Sequence, residues 1–159
     1  MAITKAQVLE AQKEWGRGIV EIGAAFTNGA DYSARATQHI RELYAYGTHE
    51  VLFKPTKCEH RQFRPTFEGA LSYFVSGNHD FPEDEGFALA PYIAVEFINA
   101  NMTMSSDMAL AMGNYYFTDT SGKITKVEYT FAYRESKPGL KIVAHHSSLP
   151  YHHTPPHST

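Results

Sequence analysis

Near its C-terminus the chain runs Ile142-Val143-Ala144-His145-His146-Ser147-Ser148-Leu149-Pro150, two imidazoles followed by two hydroxyls. Imidazoles hold or move protons near neutral pH and bind metals, and serine hydroxyls both donate and accept hydrogen bonds. Side chains alternate faces along a strand. Ile142, Ala144, His146 and Ser148 are therefore expected on one face, with Val143, His145 and Ser147 on the other. Adjacent histidines on a strand cannot reach one metal ion without distortion, as His-x-His could. The ordinary reading is that one histidine is hydrogen-bonded in the core while the other meets solvent. Parity alone does not say which. Two more hydroxyls have suitable settings: Thr56, just after Lys54-Pro55, and Tyr73, at the edge of a helical apolar stripe. A tyrosine so placed packs its ring and turns its hydroxyl toward a cavity. Each of these residues taken alone is ordinarily structural.

The elements that must position these groups follow from periodicity. Thr4 and Gln7 form a capping-box pattern, and Val8, Trp15, Ile22 and Phe26 then trace one helical stripe, interrupted by Gly16 and Gly18 and ended by Asn28-Gly29. A second helix is expected from near Asp31, with Ala36, Ile40, Leu43 and Tyr44 inward and Gly47 as its stop. Val51-Leu52-Phe53 reads as a short strand closed by Pro55. Thr66 caps a short helix whose apolar positions are Phe67, Ala70, Leu71 and Phe74. His79 to Gly86 reads as a loop. The period then becomes that of strands, over 87–101, 108–118, 123–134 and 140–148, with turn signals between them. Helices first and antiparallel strands afterwards make an α+β fold, with the N-terminal helices packed into a strongly curved, mostly antiparallel sheet. Residues 1–150 form one domain and 151–159 a His/Pro-rich tail.

Composition narrows the function. The 159 residues suffice for one domain, with 43% hydrophobic and 13% aromatic content. A net charge of −3 without a sustained basic run argues against nucleic-acid binding. No stretch approaches the ~20 apolar residues of a membrane span. The polar start is not a secretory signal, and Cys58 is the single cysteine, so the cytoplasm is the expected compartment. No His-x-His or His-Glu-x-x-His occurs, and His152-His153 is adjacent like the first pair. With no obvious three-ligand set, a site without metal is expected.

The ending His145-His146-Ser147-Ser148 before Leu149-Pro150 resembles the iota-class carbonic anhydrases. Phe53-Lys54-Pro55-Thr56, Ser72-Tyr73-Phe74, Asp84 to Leu89 and Val127-Glu128-Tyr129-Thr130-Phe131 support the likeness, which spans about 51–150. A methionine usual before the proline in that family is Leu149 here, an exchange of similar volume. The resemblance implies a cone-shaped fold like that of nuclear transport factor 2 and the cystatins, a homodimer, and reversible hydration of carbon dioxide to bicarbonate. It also implies that Thr56, Tyr73 and Ser148 hold the anion beside His146. Some relatives work without metal and others with manganese or zinc. His146 or a hydrogen-bonded relay is the expected proton acceptor.

Two other readings fit the same elements. An oligomerising association module would use an outer sheet face, for which Tyr129, Phe131 and Tyr133 are candidates. An enzyme of the polyketide-cyclase or ketosteroid-isomerase type would need a carboxylate inside the cone, with Glu96 and Glu128 as candidates. Asp80, Glu83, Asp84 and Glu85 read as a solvated loop.

Overall fold

The computed structural model describes residues 2–155; the last four residues of the His/Pro-rich tail lie outside it. Helix α1 covers Lys5–Thr27, and its capping box is formed: Thr4 Oγ1 accepts from the Gln7 N–H at 3.2 Å while Gln7 Oε1 accepts from the Thr4 N–H at 2.8 Å. Val8, Trp15, Ile19 and Ile22 are buried as the stripe requires, whereas Phe26 is exposed. The glycines do not interrupt this helix. A Cβ on Gly16 would sit 3.2 Å from Val95 Cβ, and one on Gly18 only 2.0 Å from His39 Nδ1. Helix propensity is given up there for close approach to the sheet and to the second helix.

Helix α2, Tyr32–Leu43, starts at Asp31, whose carboxylate accepts from the Ala34 N–H at 3.0 Å. It ends before Gly47, and Tyr44 enters the core as its C-cap residue. The short strand β1, Leu52–Lys54, precedes α3, Phe67–Val75, where Thr66 Oγ1 accepts from the Gly69 N–H. A 3₁₀ turn, Phe87–Leu89, occupies the start of what periodicity assigned to a strand. Pro91 has no N–H for a ladder, and the strand begins just after it. Strand β2 is Tyr92–Met104, followed by β3 Met108–Asp119, β4 Ile124–Glu135 and β5 Leu140–Ser148.

The sheet order is β1-β5-β4-β3-β2, with β1 parallel to β5 and all other pairs antiparallel. Helices and sheet together make the expected α+β fold. The core lies between the helices and the inner sheet face. Trp15 packs there against Phe74, Phe97, Tyr115, Phe117, Phe131 and His145, with ring centroids 5.4–6.5 Å away. Tyr129, Phe131 and Tyr133 are buried in this core, so they are not the outer association surface that their alternation allowed. Aromatics that large fill the hollow of the sheet against Trp15. No helix among the described residues is long and apolar enough to cross a membrane.

Gly18→Ala is expected to destabilise the fold by about 1–3 kcal/mol despite better helix propensity, because the new methyl overlaps the His39 ring. Urea denaturation measures this, and a stabilised variant would contradict the packing role.

Candidate active site

Pairing between β4 and β5 decides which of the tandem residues enter the interior. Phe131 pairs with His145 and Tyr129 with Ser147, whereas Thr130 pairs with His146 and Glu128 with Ser148. Residues directly opposite in an antiparallel pair share a face. The buried aromatics therefore carry His145 and Ser147 inward, where they are 2% and 1% exposed. His146 is exposed, and the Ser148 hydroxyl donates to Glu128 Oε1 at 2.9 Å on the outer side. The expected pair His146 and Ser148 is thus corrected to its neighbours. The grouping of 145 with 147 and of 146 with 148 holds, but its sign is reversed. Ile142 also departs from simple alternation. Ala144 pairs with Ala132 and Ile142 with Tyr133, so Val143 is the extra residue of a bulge, and Ile142 faces inward with His145.

His145 lies between aromatic rings, with centroids 4.7 Å from Phe53 and 4.2 Å from Phe131. Its two nitrogens are fully engaged. Nδ1 is 2.8 Å from the Tyr44 hydroxyl, which accepts from Trp15 Nε1–H at 3.0 Å. Nε2 is 3.1 Å from the Tyr115 hydroxyl, which is 2.5 Å from Ser147 Oγ. Ser147 Oγ is in turn 2.5 Å from Thr56 Oγ1. Thr56 lies two residues beyond the end of β1, so the parallel pairing of Phe53 with His145 brings it to this chain. The Tyr73 hydroxyl accepts from the Lys57 N–H at 3.1 Å and faces Thr56.

Thr56 and Tyr73 border an open cavity of ≈ 630 Å³, together with Lys57, Phe87, Leu89 and Tyr92. Ser147 sits one hydrogen bond behind it. Of the four expected site residues, the structure therefore brings Thr56 and Tyr73 together and leaves His146 and Ser148 elsewhere. Tyr115, Tyr44 and Trp15 were not foreseen. Tyr115 follows the β3 alternation Tyr115–Phe117, whose inward face was readable, but its partners are set by strand register.

The cavity wall is braced by charge. Arg64 and Asp84 form a fully buried ion pair at 2.7 Å, and Ser72 donates to the same carboxylate at 2.6 Å. Glu83 accepts from the N–H groups of Glu59, His60 and Arg61. These hydrogen bonds hold its carboxyl below the usual range and tie the two loops at the mouth together. Half of the acidic loop is thus structural, which corrects its reading as merely solvated. A buried charge persists only with such a partner. Glu96 and Glu128 are exposed, so neither supplies a carboxylate inside the cone. Burial pushes the Cys58 thiol up to about 11, keeping it protonated. Among the described residues no three His, Cys, Asp or Glu side chains converge as metal ligands.

Burial dominates the protonation states. It holds His145 well below the ordinary histidine value, with the nearby His146 and His39 adding to the effect. It raises the phenols of Tyr73 and Tyr115 above the ordinary tyrosine value, although hydrogen bonds from their neighbours partly oppose this. At neutral pH the chain therefore contains only uncharged donors and acceptors. Such an arrangement suits a small guest that becomes an anion as it reacts, since fixed dipoles then meet the developing charge.

Comparison with known proteins gives a consistent picture. The family profile described as metal-independent carbonic anhydrase matches residues 6–149. A metal-independent carbonic anhydrase of Nostoc sp. (strain PCC 7120 / SAG 25.82 / UTEX 2576) is 44% identical over 154 residues, which cover 94% of this chain and 75% of the relative. The crystal structure of an iota-carbonic anhydrase from a cyanobacterium, complexed with bicarbonate, superposes with a TM-score of 0.92 at 42% identity, covering 96% of this chain and 95% of that one. A calcium/calmodulin-dependent kinase II association domain from Xanthomonas campestris has a TM-score of 0.60 at 20% identity, covering 93% and 89% of the two chains. That last likeness shows the fold alone.

Two buried imidazoles give stability a defined pH dependence. Burial lowers His39 to about 3, with Arg35 contributing, and it lowers His145 as well. The unfolded chain binds a proton at each site near pH 6.5 that the folded chain refuses. Stability from this source is complete above about pH 6.5. It falls with decreasing pH by about 1.4 kcal/mol per unit per histidine until the folded group also titrates. His39→Leu, which removes two buried nitrogens without partners, should reduce the slope between about pH 6 and 4 by one proton. Denaturant midpoints across that range test this, and an unchanged slope would refute it.

Proposed function

The chain belongs to the metal-independent carbonic anhydrase family, and from that membership we propose that carbon dioxide is hydrated where Thr56 and Tyr73 meet the cavity, with Ser147, Tyr115 and His145 behind them. The activity is the reversible conversion of carbon dioxide to bicarbonate without a metal ion. The observation that carries the site assignment is the unbroken hydrogen-bond chain from His145 through Tyr115 and Ser147 to Thr56, ending beside Tyr73 at the cavity.

Carbon dioxide is apolar and its product is an anion, so the reaction needs an aromatic wall with a few donors where negative charge develops. Phe87, Leu89 and Tyr92 supply the wall, and the Thr56 and Tyr73 hydroxyls supply the donors. As the water oxygen bonds to carbon, one water O–H breaks. Its proton passes to a hydroxyl oxygen, Thr56 in our reading, while that hydroxyl gives its own proton to an oxygen of the substrate. Carbonic acid forms and loses a proton to water in the open mouth, leaving bicarbonate. No buried group has to hold a charge in this sequence, which agrees with the low basicity of His145. Positioning and proton relay of this kind contribute typically ~10²–10⁴-fold, less than a zinc-bound hydroxide achieves.

We also place a homodimer on the outer sheet face, with the cytoplasm as its compartment. Leu110, Ala132, Ala144 and Leu52 lie side by side across four strands, and Met112, Thr130 and His146 form the next row. Leu52, Leu110 and Met112 are exposed there, and an apolar sheet face of this kind suits self-association.

Tyr73→Phe and Ser147→Ala should each lower kcat for hydration roughly 10²-fold, while His146→Ala and Ser148→Ala stay within about twofold of wild type. Stopped-flow assay of chelator-treated protein reads this directly. Full activity of Ser147→Ala, or loss in Ser148→Ala, would overturn the assignment. Replacing Leu110 and Met112 together by lysine should convert a sedimenting dimer into a monomer; a wild type that sediments as a monomer would refute the outer-face interface.

A further inference from the structure

The direction of every hydrogen bond in the buried chain follows from its far end. An indole N–H donates and never accepts, so the 3.0 Å contact between Trp15 Nε1 and the Tyr44 oxygen runs one way. Tyr44 is 1% exposed, and among the described residues its only other polar contact is His145 Nδ1 at 2.8 Å. If Nδ1 carried a proton and donated to Tyr44, the phenol proton would be left buried without an acceptor, which folded proteins avoid. Tyr44 therefore donates to Nδ1. A neutral imidazole then has its proton on Nε2, which faces the Tyr115 oxygen at 3.1 Å. Tyr115 receives that proton as a hydrogen bond and gives its own to Ser147, and Ser147 gives its own to Thr56. Thr56 is left with a proton on the side where the cavity and the Tyr73 hydroxyl lie.

We propose that Trp15 and Tyr44 are positioning residues that lock His145 in the Nε2–H tautomer and so fix Thr56 as a hydrogen-bond donor to the bound anion. Neither residue touches the cavity, and both act through His145. His145 accordingly serves as a fixed donor at the root of the chain and does not take a proton from the reacting water: Nε2 is already protonated and Nδ1 is occupied by Tyr44. Phe53, stacked on one side at 4.7 Å, and Phe131, tilted against it at 4.2 Å, keep the imidazole from turning over to exchange its nitrogens. This inference rests on the hydration site proposed above and adds which way its polarity runs.

The test reads the tautomer itself. Long-range ¹H–¹⁵N correlation spectra of ¹⁵N-labelled protein at neutral pH should show His145 with a protonated Nε2 and an unprotonated Nδ1. An Nδ1–H form or an imidazolium in the wild type would overturn the proposal, whatever happens to the variants. Tyr44→Phe removes the donor to Nδ1 and keeps the ring, so the His145 signals should shift toward a mixture of tautomers. In the same variant kcat should fall about tenfold while KM stays within twofold. Trp15→Phe should have a weaker effect in the same direction. A folded Tyr44→Phe protein whose tautomer is unchanged, or whose tautomer changes with no loss of kcat, would refute the positioning role. Wild-type protein that shows the Nε2–H form yet hydrates no carbon dioxide would instead sink the site proposal and leave the tautomer lock standing.

Discussion

The ladder between β4 and β5 is the constraint on which the interior depends. It sets Phe131 opposite His145 and Tyr129 opposite Ser147, and the aromatics must be inside because the hollow between sheet and helices has to be filled with apolar bulk. An imidazole and a hydroxyl are thereby drawn into a place where each polar atom needs a partner. Tyr44, Tyr115 and Thr56 supply those partners from three other segments of the chain, and Trp15 in turn donates to Tyr44. The hydrogen-bond chain satisfies that burial, and its free end is what the cavity presents to a guest.

An uncharged hydrogen-bond chain shapes the chemistry proposed for it. Burial keeps His145 neutral and the phenols protonated, so at the proposed site the strongest electrostatic change is the charge that develops on the substrate. Dipoles already oriented by the fold meet that charge without reorganising. The ionic groups nearby serve the frame. Arg64 and Asp84 are bound to each other, and Glu83 is taken up by the backbone of the facing loop. Their pairing ties together the loops that line the cavity.

The same architecture supports other tasks, since a kinase association domain has a related fold at 20% identity. Architecture of this kind supplies a concave sheet and little chemistry. The chemistry proposed for this chain rests on Tyr115, His145 and Ser147 of the inner sheet face, with Thr56 after β1 and Tyr73 of α3 beside them. The outer face carries polar groups of similar types, His146, Ser148 and Glu128.

Sequence alone determined the local features. The Thr4–Gln7 box and the Asp31 and Thr66 caps are short-range hydrogen bonds, and the stripe through Trp15 and the alternation of the late strands are short-range periodicities. Thr56 and Tyr73 were legible because each stands beside an element whose apolar face was clear. The expectation of a site without metal agrees with membership of the metal-independent family. Strand alternation paired His145 with Ser147 but could not say which face was buried, because that depends on a partner strand distant in sequence and on a bulge at Val143. Tyr115, Tyr44 and Trp15 were invisible as a group for the same reason, since contacts over 29, 30 and 101 residues leave no local signature. The strand start after Pro91 and the burial of Asp84 likewise awaited tertiary structure. Short-range rules fix what each segment is; long-range packing fixes which of its sides meets the solvent.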